Sequence, residues 1–124
     1  MNMQLYYSSL IITYVHCLGV YIFAPGHILP VYIYALGLIT SIINHRFTNT
    51  LVKHMDRSII TCAFFMNLYI GAFLTSNLLL GFCICICALL GAFYYFVGKT
   101  YNLHHFHFLT HIFVTSSNLF IMAA

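Results

Sequence analysis

Five polar side chains in an otherwise apolar chain have the types and spacing needed for metal-assisted hydrolysis. Ser41 and His45 are four residues apart, so they share one face of a helix. His107 and His111 have the same spacing further along the chain. Asp56 is the only acidic residue among 124. Three neutral imidazoles with one open coordination position form the ligand set of a catalytic zinc site, so this pattern predicts zinc chemistry.

Each of these residues has a defined task in such a site. Zinc lowers the pKa of a bound water toward about 7, which makes hydroxide available at neutral pH. We predict three zinc ligands, His45, His107 and His111. Asp56 is predicted to take the proton of the attacking water or to orient that water. Ser41 is predicted to hold the water or the developing oxyanion.

The other histidines compete with this interpretation, because the chain contains eight and a pair spaced by four is a weak signal on its own. His104 lies on the same helix stripe as His107 and His111, so it could replace one of them as a ligand. His16 and His27 are expected to be hydrogen-bonded or interfacial residues, and His54 to lie in a solvated loop.

The composition makes lipid the expected solvent of this chain. Hydrophobic residues make up 63% of it and charged residues 4%, whereas a soluble domain has about 25% charged residues. The net charge of +3 is too small and too localised to indicate nucleic acid as a partner. The five cysteines all lie in apolar runs and do not resemble a secreted disulfide framework, so we expect them to be packing residues.

Five apolar stretches predict five membrane-spanning helices, at about residues 5–24, 28–44, 59–75, 78–97 and 103–124. A helix needs about 20 residues to cross the hydrocarbon core. The spans must be helical, because in lipid each backbone N–H needs a partner within its own segment or in a closed barrel. The prediction is therefore a single all-α domain, residues 1–124, folded as a polytopic transmembrane bundle. Asp56 is predicted to open the third span, stabilised by the positive end of that helix.

The basic residues predict the orientation of these spans. Arg46, Lys53 and Arg57 lie between spans two and three, and Lys99 lies between spans four and five. Both connections are on the same side of a five-span bundle, and the positive-inside rule places that side in the cytoplasm. The N-terminus and the five candidate residues are then expected at the cytoplasmic face, with the C-terminus on the opposite side.

The pattern Ser41-x-x-x-His45, then Asp56, then His107-x-x-x-His111 resembles the CREST superfamily of membrane hydrolases. That superfamily includes the alkaline ceramidases, the lipid-remodelling proteins of GPI-anchor maturation, and the progestin and adipoQ receptors. The resemblance covers residues 40–57 and 107–116. The short interval between His45 and Asp56 is more similar to the ceramidases and GPI-remodelling proteins than to the receptors.

The resemblance implies that the three histidines bind zinc, that Asp56 and Ser41 hold the water, and that the protein lies in endomembranes. The superfamily core has seven helices, so a five-helix chain is a reduced version of it. Loss of a helix pair between span three and the last span keeps the candidate residues on one side. Three outcomes stay open: the chain forms a homo-oligomer, uses lipid as a wall of its cavity, or is an inactive homologue.

The sequence thus favours a zinc-dependent hydrolase that cleaves an amide or ester bond of a membrane lipid. An alternative is a catalytically inactive membrane protein that binds lipid or a partner. A haem-bearing anchor with His45 and His111 as axial ligands ranks lower, because it gives Asp56 and Ser41 no role.

Overall fold

A computed structural model describes residues 3–47 and 49–124, so Met1, Asn2 and Thr48 lie outside the described part. All regular structure in these ranges is helical. The helices are α1 (Met3–Phe23), α2 (Ile28–Arg46), α3 (Thr50–Tyr69), α4 (Leu78–Thr100) and α5 (His104–Ala123). A π-helical turn, Ile70–Leu74, continues α3. Five helices of the described part are long and apolar enough to cross a membrane, which confirms the predicted fold class.

The third helix begins at Thr50, well before the start at residue 59 that the apolar pattern predicts. Asn49 explains the early start, because its side-chain oxygen accepts hydrogen bonds from the backbone N–H groups of Leu51 at 2.9 Å and Val52 at 3.3 Å. This is N-capping by asparagine. Asp56 therefore lies beyond the first turn of α3, and the expectation that it opens the helix is wrong.

The interior of the bundle is polar and its exterior is apolar. Among the described residues, twelve buried side chains are polar or charged and eight are hydrophobic. Large apolar side chains point outward, as shown by Tyr21, 87% exposed, and Leu78, 88% exposed. A water-soluble bundle would bury such residues. In lipid, close packing and interhelical hydrogen bonds hold helices together, and this chain has both.

The helices run alternately up and down, because each connection between them is only a few residues long. The last helix, α5, packs against α1, α3 and α4. Close approach between α4 and the π-helical turn depends on two glycines. A Cβ atom at Gly81 would collide with the carbonyl oxygen of Gly71.

In the interior of the bundle, hydrogen bonds link side chains that we call the inner polar layer: His16, Tyr34, Asn67, Ser117 and Asn118. The Tyr34 hydroxyl donates to Asn67 at 2.6 Å, and the Asn67 amide donates to Asn118 at 2.8 Å and to Ser117 at 3.1 Å. Asn118 and His16 lie 3.0 Å apart. Ser117 donates to the backbone carbonyl of Ile84 in α4 at 3.0 Å. All five helices therefore meet in this layer.

Candidate metal centre

Three histidines from two helices converge at one end of the bundle. The last turn of α2 supplies His45, and the first two turns of α5 supply His107 and His111. The ring of His45 lies 5.4 Å from that of His107 and 5.6 Å from that of His111, centroid to centroid, and the two α5 rings are 5.0 Å apart. One ring nitrogen of each residue lies within 4.8 Å of the other two. We call this group the histidine cluster.

The histidine cluster fits a zinc ion in its chemistry and nearly in its dimensions. Zinc bonded to imidazole nitrogens at about 2.0–2.1 Å in tetrahedral geometry holds those nitrogens about 3.4 Å apart. The candidate nitrogens lie within 4.8 Å of one another, so the side chains would have to rotate and draw the rings together to bind an ion. In the described part of the chain, His45 Nε2 is buried and has no hydrogen-bond partner. A buried nitrogen without a partner is costly, and a metal ion would supply one.

The side chains around the histidine cluster come from α1 and α4. Tyr95 packs against His107 with ring centroids 5.9 Å apart. Ser8 on α1 places its Oγ 3.3 Å from Nδ1 of His111. Sequence reasoning missed Ser8, although Ser8, Ser9 and His16 are polar residues within the mainly apolar α1, and the structure buries all three.

Ser41 lies one turn before His45 on α2 and is buried against α1 rather than against an imidazole. Its Oγ is 3.3 Å from Oγ of Ser9. Ser9 donates its hydroxyl hydrogen to the carbonyl of Leu5 at 2.9 Å. A hydroxyl has one hydrogen, so Ser41 is the donor in the contact with Ser9. The Ser41 hydroxyl would have to rotate away from Ser9 to donate to a substrate.

The Asp56 carboxylate is buried and binds α2. Its Oδ2 accepts a hydrogen bond from the Asn44 amide at 2.9 Å. Its Oδ1 lies 3.2 Å from the hydroxyl oxygen of Thr40, which is also 3.0 Å and 3.1 Å from the carbonyl oxygens of Leu36 and Gly37. Thr40 and Asn44 directly precede Ser41 and His45, so Asp56 lies beside the stripe of α2 that carries those two residues. In residues 3–47 and 49–124, the carboxylate makes its hydrogen bonds to α2 and none to the histidine cluster.

The remaining histidines fall outside the histidine cluster. His104 is exposed at the start of α5, while His107 takes the place within reach of the other two rings. His54 is exposed, but on α3 rather than in a loop. His16 is buried and hydrogen-bonded in the inner polar layer. The geometry therefore selects His107 over His104 as the neighbour of His45 and His111.

No protein-family model, curated protein or solved structure matches this chain.

Proposed function

We propose that this chain is an integral membrane zinc-dependent hydrolase that cleaves an amide or ester bond of a lipid. The observation that carries the proposal is the convergence of His45, His107 and His111, with a buried nitrogen that lacks a partner. Ionisable residues inside a membrane bundle are costly and usually belong to a functional site. The resemblance to the CREST superfamily supports the same function.

Each polar residue near the histidine cluster would have a separate role in this chemistry. When bound, zinc supplies a Lewis acid and makes hydroxide available at neutral pH. The three imidazoles would hold the ion. Asp56 would accept the proton of the attacking water, and the hydrogen bond from Asn44 fixes the direction of the carboxylate. Ser41 turns from Ser9 and donates to the oxygen of the scissile carbonyl.

A membrane lipid is the substrate class that the surroundings of the site favour. Large apolar side chains are exposed on all five helices, so the bundle is surrounded by lipid and a lipid is the substrate class most available to it. Arg46, Lys53, Arg57 and Lys99 belong to the same end of the bundle as the histidines. Under the positive-inside rule, we propose that this end faces the cytoplasm and that the reaction takes place at that face.

The first experiment measures metal by mass spectrometry in detergent-purified protein. Wild-type protein is expected to contain about one zinc per chain, because three histidine ligands are a sufficient protein ligand set. The double variant His107→Ala/His111→Ala should lose it. The matched control, His104→Ala/His105→Ala, removes two exposed histidines from the same helix and should keep it. Absence of zinc from the wild type, or its loss from the control alone, would refute this site.

A second candidate function is lipid binding without turnover, and two observations favour it. Ser41 and Asp56 both bind other side chains, so neither is directed at the histidine cluster. An apolar groove of about 260 Å³ lies between α1 and α2, lined in part by His16, Tyr34 and Met122, away from the cluster. Zinc-loaded protein that hydrolyses neither ceramide nor phospholipid would favour this candidate.

The haem-anchor alternative is disfavoured by the packing of the rings. His107 contacts both His45 and His111, with centroids 5.4 Å and 5.0 Å away. A porphyrin between His45 and His111 would have to displace it. An absorption spectrum of the purified protein without a Soret band would agree with this conclusion.

A further inference from the structure

We propose that Ser8 is a positioning residue that holds His111 in the Nδ1–H tautomer and so leaves Nε2 free to bind a metal. The inference deepens the proposed function, because it concerns a candidate ligand of the same site. If the inference is correct, the site depends on α1 as well, although α1 carries no candidate ligand.

The direction of the hydrogen bond follows from what surrounds the Ser8 hydroxyl. Ser8 is buried, and its Oγ lies 2.9 Å from the carbonyl oxygen of Leu5 and 3.3 Å from Nδ1 of His111. A carbonyl oxygen can only accept, and the hydroxyl has one hydrogen to donate. The shorter contact takes that hydrogen, so Ser8 Oγ offers a lone pair to His111.

The tautomer of His111 follows from this direction. A neutral imidazole has one N–H donor and one nitrogen that accepts. If Nδ1 carries the hydrogen and donates it to Ser8, then Nε2 carries the lone pair that a metal needs. Among the described residues, no side chain or backbone group is hydrogen-bonded to His111 Nε2. Metal-binding histidines usually donate their second ring N–H to a neighbouring acceptor in this way.

Ser8 is specific to one member of the histidine cluster. His111 is the member whose ring nitrogen has a hydrogen-bond partner in the described part of the chain, whereas His45 Nε2 has none. His111 is therefore oriented before any ion arrives, and His45 and His107 complete the ligand set by rotating toward it. A preoriented ligand loses less conformational entropy on binding.

The neighbouring serine provides a matched control. Ser9 is buried like Ser8 and donates to the same Leu5 carbonyl at 2.9 Å, but its second contact is Ser41 rather than a histidine. Ser8→Ala and Ser9→Ala remove the same atom from adjacent positions of α1. Only Ser8→Ala removes a contact with a candidate ligand.

The first measurement is the dissociation constant for Zn²⁺, and for Co²⁺ as a spectroscopic probe, by chelator competition in detergent. Loss of such an outer partner weakens metal binding by about 10- to 100-fold. We expect a weakening of about tenfold in Ser8→Ala, at the low end of that range because a hydroxyl is a weak partner, and wild-type affinity in Ser9→Ala. Equal or tighter binding in Ser8→Ala would overturn the inference.

The second measurement reads the tautomer directly in metal-free protein, by NMR of ¹⁵N,¹³C-labelled histidine with His111→Ala to assign the signal. The wild type should show His111 as the Nδ1–H form, and Ser8→Ala should shift it toward the Nε2–H form. A wild-type Nε2–H form would overturn the inference even if zinc binds tightly. The expected tautomers in a protein that binds no zinc would support the orientation by Ser8 and refute the proposed function.

Discussion

At the scale of single residues, Asp56 has two roles that one substitution can separate: its proposed role as a proton acceptor and its structural contact with α2. Its carboxylate accepts a hydrogen bond from Asn44 and contacts the Thr40 hydroxyl, both on α2. Asn at this position has nearly the same shape and keeps one oxygen to accept from Asn44. Because an amide cannot take a proton from water, Asp56→Asn should retain zinc while lipid hydrolysis falls by about 100-fold or more.

This prediction is checked by measuring zinc content and turnover of a ceramide or phospholipid substrate on the same preparation. Arg57→Gln is the control, since it changes a charge at the adjacent position and leaves the hydrogen bonds of the carboxylate in place. Wild-type turnover in Asp56→Asn would remove Asp56 from the mechanism. Loss of zinc as well as turnover would give Asp56 a structural role.

Helix periodicity and the number of spans were enough to predict that His45, His107 and His111 share one end of the bundle. Side-chain hydrogen bonds were not predictable in this way. Asp56 contacts Thr40 and Asn44, each of which directly precedes a candidate residue, Ser41 or His45. Residue spacing alone cannot distinguish these two adjacent stripes of α2. Ser8 was missed because its role depends on which face of α1 meets α5, and α1 is apolar nearly all round.

At the scale of helices, the packing of α4 depends on the absence of two side chains. A Cβ at Gly81 would collide with the backbone carbonyl oxygen of Gly71, which cannot move aside as a flexible side chain can. Gly81→Ala should therefore lower the free energy of unfolding by about 1–3 kcal/mol, the usual cost of overpacking. SDS titration of the helical circular dichroism of the detergent-purified protein measures this change.

Gly26→Ala is the control for this experiment, because nothing lies within 4 Å of a Cβ placed there. It should unfold at the wild-type concentration of SDS. Equal stability of the Gly81 and Gly26 variants would mean that α4 does not approach the π-helical turn as closely as the structure shows.

The bounds of the helices could be predicted where apolar composition ends abruptly, and not elsewhere. The second and fourth helices begin at the predicted residues, 28 and 78. The third does not, because residues 50–58 are polar enough to resemble a loop and yet continue the helix beyond the Asn49 cap. Hydropathy marks the part of a helix that contacts lipid. The helix itself can extend further, into polar turns outside the apolar stretch.

At the scale of the whole molecule, the positions of the basic residues predict which end of the bundle faces the cytoplasm. Positions 53 and 99 lie at the end of the bundle that carries the histidine cluster, and positions 26 and 76 lie at the opposite end. In a background with the native cysteines replaced, Lys53→Cys and Lys99→Cys should react only with reagents that reach the cytoplasm. Gly26→Cys and Ser76→Cys should react from the other side.

Labelling with a membrane-impermeant maleimide, before and after permeabilisation, distinguishes these positions. All four are exposed in the structure, so differences in reaction report the side of the membrane rather than burial. Reaction of position 53 from the non-cytoplasmic side of the membrane would reverse the proposed topology. Reaction of positions 53 and 99 from opposite sides would rule out the antiparallel arrangement of the helices between them.

The inner polar layer has a consequence for biosynthesis. Tyr34 and Asn67 can pair as soon as α3 is in the membrane, but the Asn67 amide and His16 Nε2 find their partners on α5, which is made after the other four helices. Until Ser117 and Asn118 arrive, these groups face hydrocarbon or need a temporary partner. We therefore expect the hydrogen bonds of the inner polar layer to be completed only when the fifth helix is inserted.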